Sequence, residues 1–439
     1  MSASRRNTIF IVLCSTCVVL TLLSTALNTA LPAMARDLQV ESTLCQWVVS
    51  GYALALATIM PLTAYLVTRF KTRKLYLLAL ALYLASAVVC ALSSSFALLM
   101  GARVVQACAN GLISSLTQIT ILSVFDEGER GTRMGWFGFS VGVAPVVAPT
   151  LGGLVVDALG WRAIFWIVAG LIGICLVVSL AVMGNVLETR PKTLDALGFV
   201  LSALTFGGFT LSLGNIPSLG LTNAATIVPL AIGVIAGALF VHRQLTCDDP
   251  LLDLRTFAVA PYRASVIGSA ALYAVMMGSA AALPVFMQTT LGYSATIAGA
   301  TVLPGVAAMA LVNPIAGKVF DRFGIRALVC ASGVLLVASN VLMCVPALNE
   351  SVIGLAVLAL ARYLAIGLVQ MPLATWGNTS VPKEMLASGT ALLTSLRNVA
   401  GAIGVAVFVS MLGALGVTAA YVGMAATSLA LFLALAARK

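Results

Sequence analysis

Two stretches of the chain repeat each other, residues 61–74 with the sequence PLTAYLVTRFKTRK and residues 314–327 with the sequence PIAGKVFDRFGIRA. They align without a gap, and each is an apolar run that ends in a basic turn. The residues that recur are Pro61 as Pro314, Arg69 as Arg322, Phe70 as Phe323 and Arg73 as Arg326. A membrane anchor does not require proline and phenylalanine at matched positions, so the repeat indicates two similar halves with a shared functional turn.

The rest of the chain is apolar enough to lie in a membrane. Of its 439 residues, 61% are hydrophobic and 9% are charged, with a mean hydropathy of +1.09. A soluble domain carries about 25% charged residues, so the composition excludes a soluble enzyme, a disordered chain and a disulfide scaffold. Because a transmembrane helix needs about 20 apolar residues, we predict an all-α polytopic membrane protein.

Apolar runs between short polar clusters predict fourteen transmembrane spans. The repeated turns each follow the second span of a six-span block, which makes spans 7 and 8 an inserted hairpin. The predicted domains are a six-helix bundle over residues 1–188, the hairpin over 189–245 and a second six-helix bundle over 246–439. The spans lie near residues 9–33, 47–67, 75–93, 97–122, 134–156, 163–185, 195–213, 223–241, 264–287, 296–317, 327–346, 352–377, 389–412 and 417–436.

Lysine and arginine collect on one side of these spans. Most of the 24 basic residues lie on the side of the amino terminus. Only Arg36 and Arg162 fall on the opposite side. The remaining three, Arg103, Arg362 and Arg397, fall within spans. Basic loops mark the cytoplasmic face, so we expect a multi-pass plasma membrane protein with both termini in the cytoplasm. We therefore attribute the net charge of +10 to attraction between the basic loops and the anionic cytoplasmic leaflet, and not to binding of nucleic acid.

The second copy of the turn resembles a loop of the major facilitator superfamily that reads Gly-x-x-x-Asp-Arg-x-Gly-Arg. The matching residues are Gly317, Asp321, Arg322, Gly324 and Arg326. The chain is most similar to the fourteen-span drug:proton antiporters of that superfamily. Further similarities lie in span 1 (Thr25, Asn28, Leu31, Pro32), span 4 (Arg103, Gln106, Gly111), span 5 (Gly138, Gly142, Pro145, Pro149, Gly152, Gly153) and the turn after it (Trp161, Arg162).

This resemblance implies the major facilitator fold, with two six-helix bundles and an inserted two-helix hairpin. It implies a secondary transporter that exports small amphipathic or drug-like compounds by alternating access, and not an enzyme. Such a protein needs no cofactor or metal, and it is driven by an ion gradient, of protons or another ion. Its partners are the lipid bilayer and a small-molecule substrate, and we expect it to be monomeric.

The chain departs from the antiporter pattern in span 1, where Leu23 stands in place of an aspartate. Thr68, Ala107 and Ala148 replace further motif residues. All 14 acidic residues fall in predicted loops or at helix ends, whereas a carboxylate inside the membrane is the usual proton carrier. Asp157, at the outer end of span 5, is the nearest coupling candidate. An alternative therefore stays open: an exporter or exchanger of a specific metabolite, such as an anion, without the usual proton coupling.

Candidate residues for substrate binding and coupling are the polar, aromatic and methionine side chains within the spans. Arg103 is the most informative, since a buried arginine needs a partner or a water-filled cavity. It either binds helix carbonyls and neutral neighbours such as Asn28 and Gln106, or it meets substrate. The full set is Asn28, Tyr52, Arg103, Asn110, Gln118, Tyr273, Met276, Phe286, Gln370 and Arg397.

Candidate gating residues lie in the repeated turns and in span 5. The charged turns suit a latch that is made in one conformation and broken in the other, with Asp321 paired to an arginine. Glycine permits close helix approach, and proline bends a helix. The set is Arg69, Arg73, Gly142, Pro145, Pro149, Gly152, Gly153, Asp321, Arg322 and Arg326.

Overall fold

The computed structural model describes residues 3–436, and these residues form helices and short connections without a strand. Thirteen helices are long and apolar enough to cross a membrane. They are α1 Ala3–Asp37, α2 Trp47–Arg69, α3 Thr72–Leu92, α4 Phe96–Val124, α5 Glu127–Leu159, α6 Trp161–Val182, α7 Ala196–Leu219, α8 Ala224–Thr246, α9 Ala260–Thr289, α10 Ala295–Phe323, α11 Ile325–Leu342, α12 Val352–Thr379 and a final helix, Leu386–Ala436.

The final helix contains two spans, because Gly416 interrupts it with φ 85° and ψ 177°. Glycine adopts a positive φ without steric cost, so the chain turns there without a loop. We call residues 386–415 α13 and residues 417–436 α14. The fourteen predicted spans and the all-helical class are thereby confirmed.

Most helices extend beyond the spans predicted for them. Helix α5 begins at Glu127, although the apolar run predicted a start at residue 134. The residues between are polar or glycine and continue the helix beyond the hydrocarbon layer. Hydropathy locates the part of a helix in lipid, not the turn that projects from it.

The two largest apolar cores among the described residues are built from the first and the last parts of the chain. One is built mainly from α1–α6, around Leu20, Leu27 and Tyr76. The other is built from α9–α14, around Leu336, Ile366 and Met424. We call these groups of helices the first and the second half. The hairpin α7–α8 packs against α2 and α13. The domain boundaries at 188 and 245 stay predictions, and the last three residues of the predicted third domain lie outside the described part of the chain.

One end of the helix bundle carries both repeated turns, and we call it the basic end. Cysteines introduced one at a time beside Arg36 and Arg162 should react with an impermeant maleimide added outside the cell. Cysteines beside Arg73 and Arg326 should react only after the membrane is opened, because basic loops remain in the cytoplasm. Labelling of the last two in intact cells would contradict the predicted orientation. Arg438 and Lys439, which also supported it, lie outside the described residues.

Candidate functional site

One face of α5 carries glycine at Gly131, Gly135, Gly138 and Gly142, spaced four, three and four residues apart. Residues with this spacing lie on one side of a helix, and here that side packs on α10 of the second half. A Cβ atom at Gly142 would lie 3.1 Å from the Cβ of Ala310. We call the contact between α5 and α10 along these four positions the glycine seam.

The backbones of α5 and α10 touch where the seam reaches the basic end. A Cβ atom on Gly317 would collide with the Gly131 carbonyl and lie 2.9 Å from the Cα of Thr132. A Cβ atom on Gly135 would collide with the Asn313 carbonyl group. Because backbone atoms cannot rotate aside, these positions require glycine, as in membrane helix pairs joined through small residues.

Asp321 of α10 closes the seam by binding the start of α5. Its carboxylate accepts hydrogen bonds from the backbone N–H groups of Gly131 and Thr132, each 2.7 Å long, and from the Thr132 hydroxyl at 2.6 Å. The ion pair expected between Asp321 and an arginine is not seen among the described residues in this conformation; Asp321 binds backbone amides of the opposite half. The absence of a side chain on Gly131 lets the carboxylate reach them, and the positive end of the helix dipole favours an anion there.

Arg69, Arg73 and Arg322 of the repeated turns make contacts within their own halves. Arg73 donates a 2.7 Å hydrogen bond to the carbonyl of Leu180, near the carboxyl end of α6. The guanidinium carbons of Arg69 and Arg322 lie 5.9 and 5.1 Å from the ring centres of the phenylalanines that follow them. Arg326 lies in the first turn of α11. A gating role for these four residues stays a prediction.

The antiporter-like part of α5 has a different environment at each position. A Cβ atom on Gly152 would lie 2.9 Å from the Cβ of Ala26, so this glycine packs on α1 of its own half. Gly153, the next residue, points away from α1 and faces open space. Close helix packing therefore does not explain why a glycine occurs at this position. Pro145 and Pro149 lie between the contact with α10 and the contact with α1. The seam therefore covers only the part of α5 nearest the basic end.

A buried polar cluster in the first half surrounds Arg103, which is 1% exposed. Its Nε donates to the Val48 carbonyl at 3.1 Å and its Nη1 to Gln106 Oε1 at 2.5 Å. The guanidinium carbon lies 4.0 Å from the ring centre of Tyr52. Asn110 donates to the Tyr52 hydroxyl at 2.6 Å. The structure thus brings together three candidate residues, Tyr52, Arg103 and Asn110.

One expectation about this cluster requires correction, and the position of Leu23 bears on another feature of the sequence. Asn28 is exposed on α1 and is not among the hydrogen-bond partners of Arg103, which points towards α2. Leu23, at the position of the family aspartate, is completely buried in the core of the first half. An aspartate introduced there would be a buried charge rather than a cavity-facing partner for Arg103. One nitrogen of the arginine, Nη2, is buried without a hydrogen-bond partner among the described residues.

The candidates of the second half do not form one site. The guanidinium carbon of half-buried Arg397 lies 4.9 Å from the ring centre of Tyr273. Met276 and Phe286 are buried in the apolar core, where they pack against neighbouring helices instead of lining a cavity. Gln370 of α12 is partly buried. The remaining candidate, Gln118, is buried in α4 of the first half.

Sequence reasoning missed a second buried arginine cluster and half of the glycine seam. Arg362 lies in a predicted span but is not among the candidate residues; its Nε donates to Asn340 Oδ1 at 3.0 Å, and its guanidinium carbon lies 4.8 Å from the ring centre of Tyr421. The signal for the seam was the spacing of glycines on α5, which continues towards the amino end of the helix. The seam residues that were missed are Gly131, Gly135 and Asn313.

Comparison with known proteins places this architecture in a family. Residues 13–405 match the sequence profile of the Major Facilitator Superfamily. The lincomycin resistance protein LmrB of Listeria monocytogenes is 35% identical over 391 residues, 89% of this chain and 83% of that protein. The multidrug export protein EmrB of Haemophilus influenzae is 28% identical over 385 residues, 87% and 75% of the two chains. The solved proton:xylose symporter XylE shares the fold, with a TM-score of 0.71, 14% identity and coverage of 99% and 95%.

Proposed function

Since this chain belongs to the Major Facilitator Superfamily, we propose that it exports small amphipathic or drug-like molecules across the cell membrane. Superfamily members are transporters, not enzymes, and alternating access fits the two-half fold. The names of the relatives support export of drug-like compounds, since one confers lincomycin resistance and another is a multidrug export protein. An ion gradient supplies the energy for the proposed export.

The observation that carries the proposal is the glycine seam with its Asp321 clamp. It joins the two halves at the basic end, and the glycines of α5 beyond Gly142 do not take part in it. A transporter of this kind exposes its site to one side by separating the halves on that side. The seam is held by close backbone contact and three hydrogen bonds from one carboxylate, which is a contact suited to being broken and remade.

We also propose that the transporter works as a monomer, without nucleic acid, and with its basic end in the cytoplasm. The six-plus-six arrangement of helices supplies both sides of a central site within one chain. The positive charge of the repeated turns supports the orientation through attraction to the anionic cytoplasmic leaflet.

Export is tested with inside-out membrane vesicles that contain the full chain. Fluorescent amphipathic cations, neutral compounds and anions are offered one at a time, with a proton or a sodium gradient imposed across the membrane. We expect gradient-dependent accumulation of at least one compound class, absent from vesicles without the protein. Equilibration of all classes at the rate of protein-free vesicles would contradict the proposal.

A second candidate function, export or exchange of an anionic metabolite, is favoured by the Arg103 cluster. The described partners of Arg103 are a carbonyl, an amide and a ring, all of them neutral. Its Nη2 is buried and has no hydrogen-bond partner within residues 3–436, and an anion would gain a charge-assisted hydrogen bond from this nitrogen. The conformation seen here encloses the arginine, so substrate would reach it only after the helices around it move.

Replacing Arg103 by glutamine tests this second function. Transport of an anionic substrate should fall about tenfold, the effect of one charge-assisted hydrogen bond, while transport of a neutral compound changes little. Arg362→Gln is the matched control, since it removes an equally buried arginine from the second half. Equal loss for both substrates, or equal loss in both variants, would make Arg103 a structural residue.

A further inference from the structure

The connector between α6 and α7, residues 183–195, runs across the basic end of the molecule. Its first part is held by the first half. The backbone N–H of Leu187 donates to the Thr72 hydroxyl at 3.1 Å, and the side chain of Asn185 accepts from the Arg73 backbone N–H at 3.3 Å. Both partners lie in the first turn of α3, directly after the turn between α2 and α3. The connector is therefore attached to the helices whose turn carries the first copy of the repeat.

Arg190 in the middle of the connector binds both halves at once. Its backbone N–H donates to the Thr68 carbonyl at 3.0 Å, at the end of α2. Its guanidinium Nη2 donates to the Glu384 carbonyl at 2.6 Å. Glu384 lies in the short turn Lys383–Met385 that precedes α13. One residue thus links the last turn of α2 in the first half to the start of α13 in the second.

A cavity of about 350 Å³ separates the two halves beneath this residue. Val67, Thr68 and Ile119 line it from the first half, and Leu386 and Ala387 line it from the second. The connector residues 186–190 lie along the same cavity. The bond made by Arg190 therefore spans the edge of this cavity, beside the contact between α2 and α13.

The far end of the connector is fixed by an ion pair whose carboxylate is buried. Asp195, whose side chain is 2% exposed, accepts from Arg243 Nε at 2.7 Å and from Gln244 Nε2 at 2.8 Å. Burial opposes its ionisation, but the Gly198 amide, Arg243 and Gln244 outweigh burial and hold the pKa of this carboxyl below its usual range. The charge is kept at neutral pH, and the connector is held at the base of the α7–α8 hairpin.

We propose that residues 183–195 form a strap that stabilises the conformation closed at the basic end, with Arg190 as its cross-link between the halves. The strap lies over the contact between α2 and α13, whereas Asp321 closes the contact between α5 and α10. Opening of the basic end requires Arg190 to leave the Glu384 carbonyl. This inference rests on the proposed alternation between two conformations, and it assigns to Arg190 a positioning role without contact to substrate.

Hydrogen exchange of the full-length protein in lipid nanodiscs tests the strap. The reporter is the set of seam amides in residues 127–142, which Arg190 does not touch. We expect R190A to speed their exchange about three- to tenfold, because loss of one partly exposed charge-assisted bond raises the open population by this factor. K74A removes the same charge from the same end of the molecule and should leave seam exchange unchanged.

A third variant separates this bond from an ordinary salt bridge. E384A should also leave seam exchange unchanged, because Arg190 binds the backbone carbonyl and not the carboxylate. Unchanged seam exchange in R190A, or equal acceleration in R190A and E384A, would overturn the strap. The measurement does not depend on transport: faster exchange in R190A without any detectable export would retain the strap and reject the proposed function.

Discussion

Gly317→Ala is expected to lower export at least tenfold, because the two halves can no longer close at the basic end. The added Cβ would meet the Gly131 carbonyl and the Cα of Thr132, both of them backbone atoms that cannot move aside. Overpacking of this kind destabilises a packed state by about 1–3 kcal/mol. Here it destabilises only the closed conformation. Vesicle export and hydrogen exchange of residues 127–142 measure the effect.

Gly299→Ala is the control on the same helix, since a Cβ there would meet open space. It should leave export and seam exchange at the level of the unmodified protein. The amount of protein in the membrane should be the same for both variants, because α10 still inserts and folds. Normal export by Gly317→Ala would show that the seam need not close during transport.

Asp321→Asn should slow turnover about tenfold while expression and membrane insertion persist. The asparagine keeps one acceptor oxygen but turns an NH₂ group towards donors, and it loses the negative charge near the start of α5. The closed conformation becomes less populated, so exchange of the Gly131 and Thr132 amides should rise. Glu350→Gln removes a carboxylate at the opposite end of the helices and serves as the control.

If Asp321→Asn leaves turnover unchanged, the charged turn serves only to anchor the basic end in the membrane, and Asp321 has no gating role. Slower turnover without faster exchange at Gly131 and Thr132 would place the effect somewhere other than the seam. The two readouts together therefore separate a clamp between the halves from a residue that affects transport by another route.

Hydropathy and the repeat were enough to predict the helices and their number. Each apolar run has to form its own backbone hydrogen bonds in lipid, so its helical state depends on local sequence alone. Even the break at Gly416 falls between two predicted spans. Helix ends such as Glu127 were missed because a helix continues into water without an apolar signal.

The contacts between helices could be predicted only in part. Asp321 was expected to bind an arginine, since charges are visible in a sequence and backbone amides are not. Gly131 became its partner through the docking of α5 on α10, which no local pattern specifies. The contact of Arg103 with Gln106, one helical turn away, was one of the two alternatives that the sequence left open, whereas its contacts with Val48 and Tyr52 depend on how α2 packs on α4.

A disulfide across the seam tests whether the two halves separate at the basic end during transport. The Thr132 hydroxyl lies 2.6 Å from the Asp321 carboxylate, so the double variant T132C and D321C brings two thiols within reach of each other. Export is measured before oxidation, after oxidation and after reduction, with each single variant treated in parallel. We expect oxidation to stop export in the double variant alone and reduction to restore it; undiminished export by the cross-linked protein would show that the halves do not separate at the basic end.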